Sequence, residues 1–247
     1  MKKILYIVVL VFFACNSEDA GDCFQNRGET VQQEFEVAVF DKILVNRNIQ
    51  LIVREGDLQE ILVETGEYLL NDVEVKVVNG QLRLTDNNTC NFVRDYEATK
   101  VFVTVPNLTE IRSSTQFEVQ SNGVLEFPEL HLISEDFNAP GSYTVGDFRL
   151  QINVDKLRIV SNNLSSYYIN GAVNELFVGF YAGAGRFEGE DLVAQNVGVY
   201  HRGSNDMIVN PQQELTGELR GTGNLISVNQ PPVVEVEQFY TGELLFE

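Results

Sequence analysis

One group of carboxylates has the residue types and spacing that acid-base catalysis uses. Glu188, Glu190 and Asp191 lie close together in the sequence, and two or three carboxylates converging on a cleft could serve as the acid and base of a solenoid glycosidase or lyase. Because the chain contains 36 Asp and Glu residues, such clusters also arise by chance. We favour exposed, solvated carboxylates at these positions and keep the carbohydrate-active enzyme as the alternative.

The two histidines offer little further chemistry. His201, Ser204 and Asp206 have the residue types of a nucleophile triad, but they crowd one local turn, whereas such groups normally meet through tertiary structure. His131 lies between Leu130 and Leu132, so alternation along a strand points it to the surface. No phosphate-binding glycine loop, EF-hand loop or zinc-protease helix motif is present. The sequence therefore predicts a protein with no catalytic residues, metal or cofactor.

Cys15 is predicted to carry a lipid. Lys2 and Lys3 precede an apolar run, Ile4 to Ala14, which is too short to span a bilayer and typical of a signal peptide. The end of this run, Val-Phe-Phe-Ala-Cys, resembles the lipobox of bacterial lipoproteins. The resemblance implies cleavage before Cys15 and a diacylglycerol on its thiol, which with further acyl chains gives durable anchoring. The alternative is an ordinary signal peptide without lipid.

The residues after Cys15 bear on location. Ser17-Glu18-Asp19 is similar to the acidic signal that exports lipoproteins to the outer face of the outer membrane in certain Gram-negative groups. Asn16 leaves the sorting open, because Asp or Asn at this position can favour retention at the inner membrane in some bacteria. We predict an outer-membrane lipoprotein exposed at the cell surface, with the periplasmic face as the alternative.

Cys23 and Cys90 remain as an even pair in an oxidising compartment. We predict a disulfide between them; two free thiols or an intermolecular link are the alternatives. Neither cysteine has a His or Cys neighbour at metal-ligand spacing.

The charge excludes one class of partner. Lys and Arg number 17 against 36 Asp and Glu, a net charge of -19. Nucleic-acid binding needs clustered Lys and Arg to contact phosphates, so we predict no nucleic-acid partner.

The chain reads as strands with no comparable helical period. From Glu34 to Pro106 apolar and polar residues alternate. Val73 to Val78, followed by Asn79-Gly80, predicts a hairpin, since Asn-Gly tolerates the positive φ angles of a type I′ turn.

The second half repeats a module. Leu157, Leu176, Val197 and Leu215 open strands about twenty residues apart, and each is followed by a corner of Gly, Ser or Asn and a second strand, a period that indicates stacked units. We predict an all-β chain with a right-handed parallel β-helix-like solenoid in the C-terminal half joined to a strand-rich N-terminal half; the alternative is a β-sandwich. The predicted parts are a signal peptide (1–14), a lipidated tether (15–34), an N-terminal β part (35–106) and a repeat solenoid (107–247).

Four tyrosines form a candidate binding face. Tyr167, Tyr168, Tyr181 and Tyr200 could lie on outward faces of neighbouring coils and hold a sugar or a protein surface. Tyrosines that simply cover a strand are the alternative.

The chain resembles a known family, the putative auto-transporter adhesin, head GIN domain family. The resemblance covers about Phe35 to Val228 and rests on four segments: Phe40 to Val45, Ile49 to Gly56, Asn79 to Leu82, and Val101 to Ile111. It implies an exported, all-β, solenoid-like protein. We therefore expect a non-catalytic, lipid-anchored envelope protein with adhesin-like binding of protein or glycan; the alternatives are the enzyme and an envelope component that assembles by end-to-end stacking.

Overall fold

The computed structural model describes residue 23 and residues 25–88, 90–92 and 97–247. The predicted signal peptide and Cys15 lie outside the described residues. In the described part the regular secondary structure is almost entirely strand, with a short 3-10 helix at Glu67–Asp72. The strands are β1 (Thr30–Glu34), β2 (Lys42–Asn46), β3 (Ile49–Glu55), β4 (Glu60–Gly66), β5 (Val73–Val78), β6 (Gln81–Asp86), β7 (Thr99–Val105), β8 (Glu110–Ser114), β9 (Val119–Leu125), β10 (Glu129–Ser134), β11 (Phe148–Ser161), β12 (Tyr167–Phe180), β13 (Phe187–His201), β14 (Met207–Leu219), β15 (Leu225–Ser227), β16 (Val233–Gln238) and β17 (Leu244–Phe246). No helix among these residues is long and apolar enough to cross a membrane.

The strands stack as two parallel ladders that share one core. Face A consists of β7, β3, β9, the first halves of β11 to β14, then β15 and β17. Face B consists of β6, β2, β8, β10, the second halves of β11 to β14, and β16. Each coil therefore contributes one strand to each face, as in a β-solenoid. This parallel pairing rules out the antiparallel sandwich alternative.

The long strands turn from face A to face B at a break in their alternation. In β11 apolar and polar residues alternate until Val154, and then Asp155 and Lys156 are both exposed before Leu157 is buried again. One coil later β12 also has two consecutive exposed polar residues, Asn174 and Glu175. Asn174 donates a hydrogen bond to Asp155 over 2.7 Å. Two consecutive outward side chains are what a bend in a strand requires, since a straight strand would place one of them in the core.

The core is a continuous column of aliphatic side chains, as the alternation predicted. Leu157, Leu176, Val197 and Leu215 are register partners on successive strands of face B, and each is at most 3% exposed. A single coil cannot bury its own apolar side, so the stacking of neighbours supplies the burial.

The coils are not stacked in chain order at the N-terminal end. The coil β2–β3 lies between the coil β6–β7 on one side and β8–β9 on the other. Beyond β6–β7 the sheet ends in antiparallel strands, β4 and β1 on face A and β5 on face B, which we call the N-terminal cap. The β5–β6 hairpin turns at Asn79 and Gly80, with φ of 53° and 75°, which confirms the predicted turn.

Two predicted boundaries need correction. Thr30–Glu34 was assigned to the tether, but these residues form β1 and pair with β4, so the end of that segment is part of the sheet. Pro106 is not a break between architectures, because β7 before it and β8 after it both belong to the stacked parallel ladders. Between Leu130 and Leu157 the chain forms a long corner, residues 135–147, within an otherwise regular coil.

Candidate functional site

The structure separates the four tyrosines of the predicted binding face. Tyr168 lies on face A, Tyr200 lies on face B, and Tyr181 is the first residue of a corner at the edge of face B. Tyr167 is fully buried, and its assignment to a binding surface is wrong. Adjacent residues of a strand point to opposite sides, so Tyr167 and Tyr168 cannot both face solvent.

Tyr167 belongs to an internal aromatic stack. Its ring lies 4.8 Å from that of Phe148, almost parallel to it, and 5.7 Å from that of Phe180. Burial raises the pKa of the Tyr167 hydroxyl. The stack connects the two faces of the solenoid and fixes the coils on which the surface aromatic residues stand.

Three aromatic side chains form a cluster on the outside of face B. Tyr181 and Tyr200 stack with their ring centroids 4.9 Å apart and an interplanar angle of 27°. Phe177 lies on the same outward side of β12, two residues before Gly179, and Gly179 is the register partner of Tyr200. We call Phe177, Tyr181 and Tyr200 the aromatic ledge.

Gly179 determines how close these rings can come. A Cβ at this position would lie 2.8 Å from Cε2 of Tyr181 and 2.9 Å from Cε1 of Phe177, distances that real Cβ contacts do not reach. Gly179 has no positive φ, so its lack of a side chain serves packing and not backbone geometry. The small residue lets two rings from one strand close over it and present a continuous aromatic surface.

A polar groove runs beside the ledge. The guanidinium of Arg158 covers one side of Phe177, 4.4 Å from the ring centroid. On the opposite neighbouring strand the register partner of Phe177 is Gly198, which leaves a gap in the row of outward side chains. This gap opens into a groove of about 340 Å³. The groove is lined by side chains that donate hydrogen bonds and side chains that accept them, among them Glu129, His131, Lys156, Glu175, Asn196, Glu214 and Thr216.

Some of the groove's polar groups are already fixed by neighbours. Asn196 donates to a carboxylate oxygen of Glu175 over 2.7 Å, and His131 contacts Glu129 over 2.9 Å. His131 is partly exposed, as alternation predicted. The first pair joins two coils and the second lies within β10; both hold their side chains in position before any ligand binds, which lowers the entropy cost of binding.

Tyr168 lies in a different groove, on face A. The guanidinium of Arg149 covers its ring at 3.8 Å from the centroid and donates to Glu118 over 2.7 Å. That hydrogen bond lowers the pKa of the Glu118 carboxyl below its usual range. The ring of Tyr168 therefore has a cation against it, as the ring of Phe177 does in the ledge.

The acidic cluster also lines the face A groove, which has a volume of about 380 Å³. Glu188, Glu190 and Asp191 all border it, which is the placement that the enzyme alternative requires. Glu188 is paired with the guanidinium of Arg186 over 2.6 Å, and Glu190 and Asp191 are exposed. One of the three carboxylates thus has an internal partner and the other two are solvated.

His201, Ser204 and Asp206 do not form a triad. His201 is completely buried, and its Nδ1 accepts a hydrogen bond from the backbone of Gly203 over 3.3 Å. The Ser204 hydroxyl donates to the carbonyl of Gly183, and Asp206 accepts from the backbone of Asn224. Desolvation lowers the pKa of His201, which is what burial does to an imidazole. The three side chains serve the corners of the solenoid.

The predicted disulfide is confirmed. Cys23 and Cys90 are bonded, with a Cα–Cα distance of 4.4 Å, and the backbone NH of Phe92 donates to the carbonyl of Cys23. The bridge joins the segment before β1 to the corner between β6 and β7. Within the described ranges, no group of three His, Cys, Asp or Glu residues is placed to hold a metal ion.

Sequence reasoning missed Phe177, Gly179 and Arg158. A signal for two of them was present, because the alternation that placed Leu176, Val178 and Phe180 in the core must place residues 177 and 179 on the outer side. A glycine among bulky residues in a strand marks a close approach. The contact between Arg158 and Phe177 depends on register between strands, which one strand does not reveal.

Comparison with solved structures shows the same fold in other proteins. A structure described as a putative adhesin from Bacteroides fragilis superposes with a TM-score of 0.77 at 16% identity, covering 90% of this chain and 99% of that chain. A structure described as a putative lipid binding protein from Parabacteroides distasonis gives a TM-score of 0.63 at 14% identity, covering 89% and 97%. A putative adhesin from Parabacteroides merdae gives 0.57 at 16% identity, with the same coverage of 89% and 97%.

No curated protein matches the sequence. The model of one family does match, over residues 39–231, which is most of the chain and includes the ledge and both ladders apart from β16 and β17. The chain therefore belongs to the family described as putative auto-transporter adhesin, head GIN domain.

Proposed function

We propose that this protein is a non-catalytic envelope protein that binds glycans through the aromatic ledge and the groove beside it. The observation that carries the proposal is the stacked pair Tyr181 and Tyr200, which lies with Phe177 over Gly179 on the outside of a rigid solenoid. Adhesin-like surface binding agrees with the family and with the adhesin descriptions of its structural neighbours.

A glycan suits this surface for two reasons. A sugar ring has an apolar face of C–H groups that can pack on an aromatic ring, and its hydroxyls both donate and accept hydrogen bonds. The ledge provides exposed aromatic surface, with Tyr181 39% exposed, and the adjoining groove provides Lys156, Glu175 and Glu214. A mixed lining of this kind fits hydroxyl groups better than a purely apolar or singly charged ligand.

The ledge is tested by single substitutions in purified protein. We expect Tyr181→Ala and Tyr200→Ala each to weaken binding of an array-selected glycan about tenfold, the effect of losing about 1.4 kcal/mol of contact energy. Tyr168→Ala is the matched control, because it removes the same side chain from face A, and it should bind as the parent protein does. Isothermal titration calorimetry gives the affinities.

Gly179→Ala gives a finer test of the same surface. The added methyl group displaces the ring edges of Tyr181 and Phe177, which are free to shift at the surface, so the thermal midpoint should change little while glycan affinity falls. Equal affinities of the ledge variants and the Tyr168 control would refute the ledge as the binding surface. If the protein bound a cell-surface protein and no glycan, glycans would be refuted as its ligand class.

The enzyme remains the second candidate, because three carboxylates do line the groove on face A. The arrangement supports it less well, since Glu188 is occupied by Arg186. Incubation of bound glycans with the protein should yield no new reducing ends. If product forms and Glu190→Gln abolishes it, the protein is an enzyme.

Anchoring through a lipid on Cys15 is part of the proposal and rests on the sequence alone. Cys15→Ser should move the protein from the membrane to the soluble fraction of cell lysates, and mass spectrometry of the parent N-terminal peptide should show the acyl chains. An unlipidated protein that stays on the membrane would contradict this anchor. Protease treatment of intact cells distinguishes surface display, which we expect, from the periplasmic alternative.

A further inference from the structure

The two ends of the solenoid differ. The N-terminal cap closes one end with antiparallel strands. At the other end β16 pairs only with β14, and β17 pairs only with β15, among the described residues. The outer edges of β16 and β17 therefore present backbone NH and carbonyl groups in the arrangement that an added strand can use.

The apolar side chains of the core column become partly exposed at this end. Val234 and Val236 are the register partners of Leu215 and Gly217, so they continue the inward-facing row of face B. Leu244 and Phe246 likewise continue the row of face A. Val234 is 37% and Phe246 43% exposed, whereas Leu215 in the preceding coil is fully buried. Within the part of the chain that the structure describes, no neighbouring coil covers the inner side of this last coil.

The charge of this end is predominantly acidic, although the guanidinium of Arg220, from the preceding coil, lies over the Phe239 ring and interacts with Glu218 and Glu237. Residues 225–247 contain Glu235, Glu237, Glu243 and Glu247 and no Lys or Arg. Along β16 the glutamates alternate with the inward valines; Val234 and both glutamates are exposed, and Val236 is partly buried. A strand laid beside β16 would place apolar side chains next to Val234 and Val236, and would complement Glu235 and Glu237 best with Lys or Arg at alternate positions.

A second copy is a poor occupant. End-to-end contact of two such ends would bring their glutamates together with no basic residue from residues 225–247 to offset them, and like charges opposite each other destabilise strand pairing. Contact with the cap of another copy offers little compensation, since β1 carries Gln32, Gln33 and Glu34 and Lys76 of β5 is already paired with Glu74. The charge complementarity favours a different, basic partner.

We propose that the open end, defined as β16, β17 and their inward side chains, binds an extended segment of another protein in which aliphatic and basic residues alternate. The segment adds to the edge of β16 as a further strand, in the manner of β-augmentation. This site lies apart from the ledge and does not depend on glycan binding.

The test uses short labelled peptides and fluorescence anisotropy with the purified protein. An alternating Val-Lys hexapeptide should bind, and the same peptide should bind at least tenfold more weakly after N-methylation of alternate amides, because methylation removes the strand hydrogen bonds. A peptide of the same composition with its valines and lysines in two blocks should also bind at least tenfold more weakly. These two controls separate strand addition from general attraction to an acidic protein of charge -19.

Matched variants locate the site. Glu235→Gln with Glu237→Gln should weaken binding of the alternating peptide about tenfold, whereas Glu188→Gln with Glu190→Gln, the same charge change on face A, should leave it within twofold. Equal affinity for the methylated and unmethylated peptides, or equal effects of the two double variants, would overturn the proposal. Dimers in sedimentation velocity that are lost on adding a charge by Val234→Asp would instead identify a second copy as the occupant.

Discussion

Removal of the Cys23–Cys90 disulfide should lower the stability of the folded chain by an amount that the structure sets. The bridge spans 67 residues, and the loop that it closes contains the cap strands β1, β4 and β5 and the coil strands β2, β3 and β6. In the chain-entropy model, a loop of this length destabilises the unfolded state by about 4 kcal/mol. Replacement of both cysteines by serine releases that constraint.

The corresponding change in melting temperature follows from the size of the protein. Unfolding entropy is about 2.1 cal/mol/K per residue, so for 247 residues a loss of about 4 kcal/mol lowers the midpoint by about 8 °C. Differential scanning calorimetry of the protein and of the Cys23→Ser, Cys90→Ser double variant measures this shift directly.

Reduction provides the control. A phosphine reductant should bring the parent protein to the midpoint of the double variant and should leave the double variant unchanged. A shift below about 2 °C would show that the loop is not constraining the unfolded chain as the entropy model requires. A reductant effect of equal size on both proteins would show that the shift has another origin.

Three further results are expected from the buried and strained positions. Tyr167→Ala should destabilise the protein by about 3–5 kcal/mol, since it empties a core site. Tyr167→Phe keeps the stack and should change stability by less than about 1 kcal/mol. Denaturant titration measures both free energies of unfolding, and the glycan affinity of the Phe variant should be unchanged. Gly171→Ala should lower the thermal midpoint more than Gly123→Ala does. Both glycines have positive φ, but a Cβ at Gly171 would lie 1.9 Å from the carbonyl oxygen of Ile152, whereas nothing lies within 4 Å of a Cβ at Gly123. Thermal unfolding of the two variants measures the difference. The folded state holds the pKa of His201 below 6.5, so the unfolded chain binds more protons below that pH and the free energy of unfolding falls as pH drops through 6.5. This slope should be smaller in His201→Phe, which denaturant titrations at a series of pH values would measure.

The core was predictable because it repeats. Alternation in each strand identifies the inward residues, and recurrence of Leu157, Leu176, Val197 and Leu215 aligns one coil with the next. The Asn79-Gly80 turn was predictable for a local reason, as both residues adopt positive φ. These features depend on neighbours in sequence or on a fixed period.

The features that could not be predicted depend on which strands lie side by side. Nothing in β2 indicates that β6 and β8 are its two neighbours, since parallel pairs carry no turn to fix the partner. The placement of Arg158 on Phe177 arises from that register. Tyr167 is a different case, because alternation alone was enough to exclude it from the surface.

The register of the later coils has a consequence for how the chain folds. Leu157, Leu176, Val197, Leu215 and Val234 are successive neighbours on face B, so each coil contacts the one made 18 to 21 residues earlier. Contacts of such short range form fast, whereas the insertion of β2–β3 between two later coils must wait for both. A chain that leaves a translocation pore N-terminus first would complete this slow step early. Each finished coil would then act as a template on which the next coil forms its strand pairs.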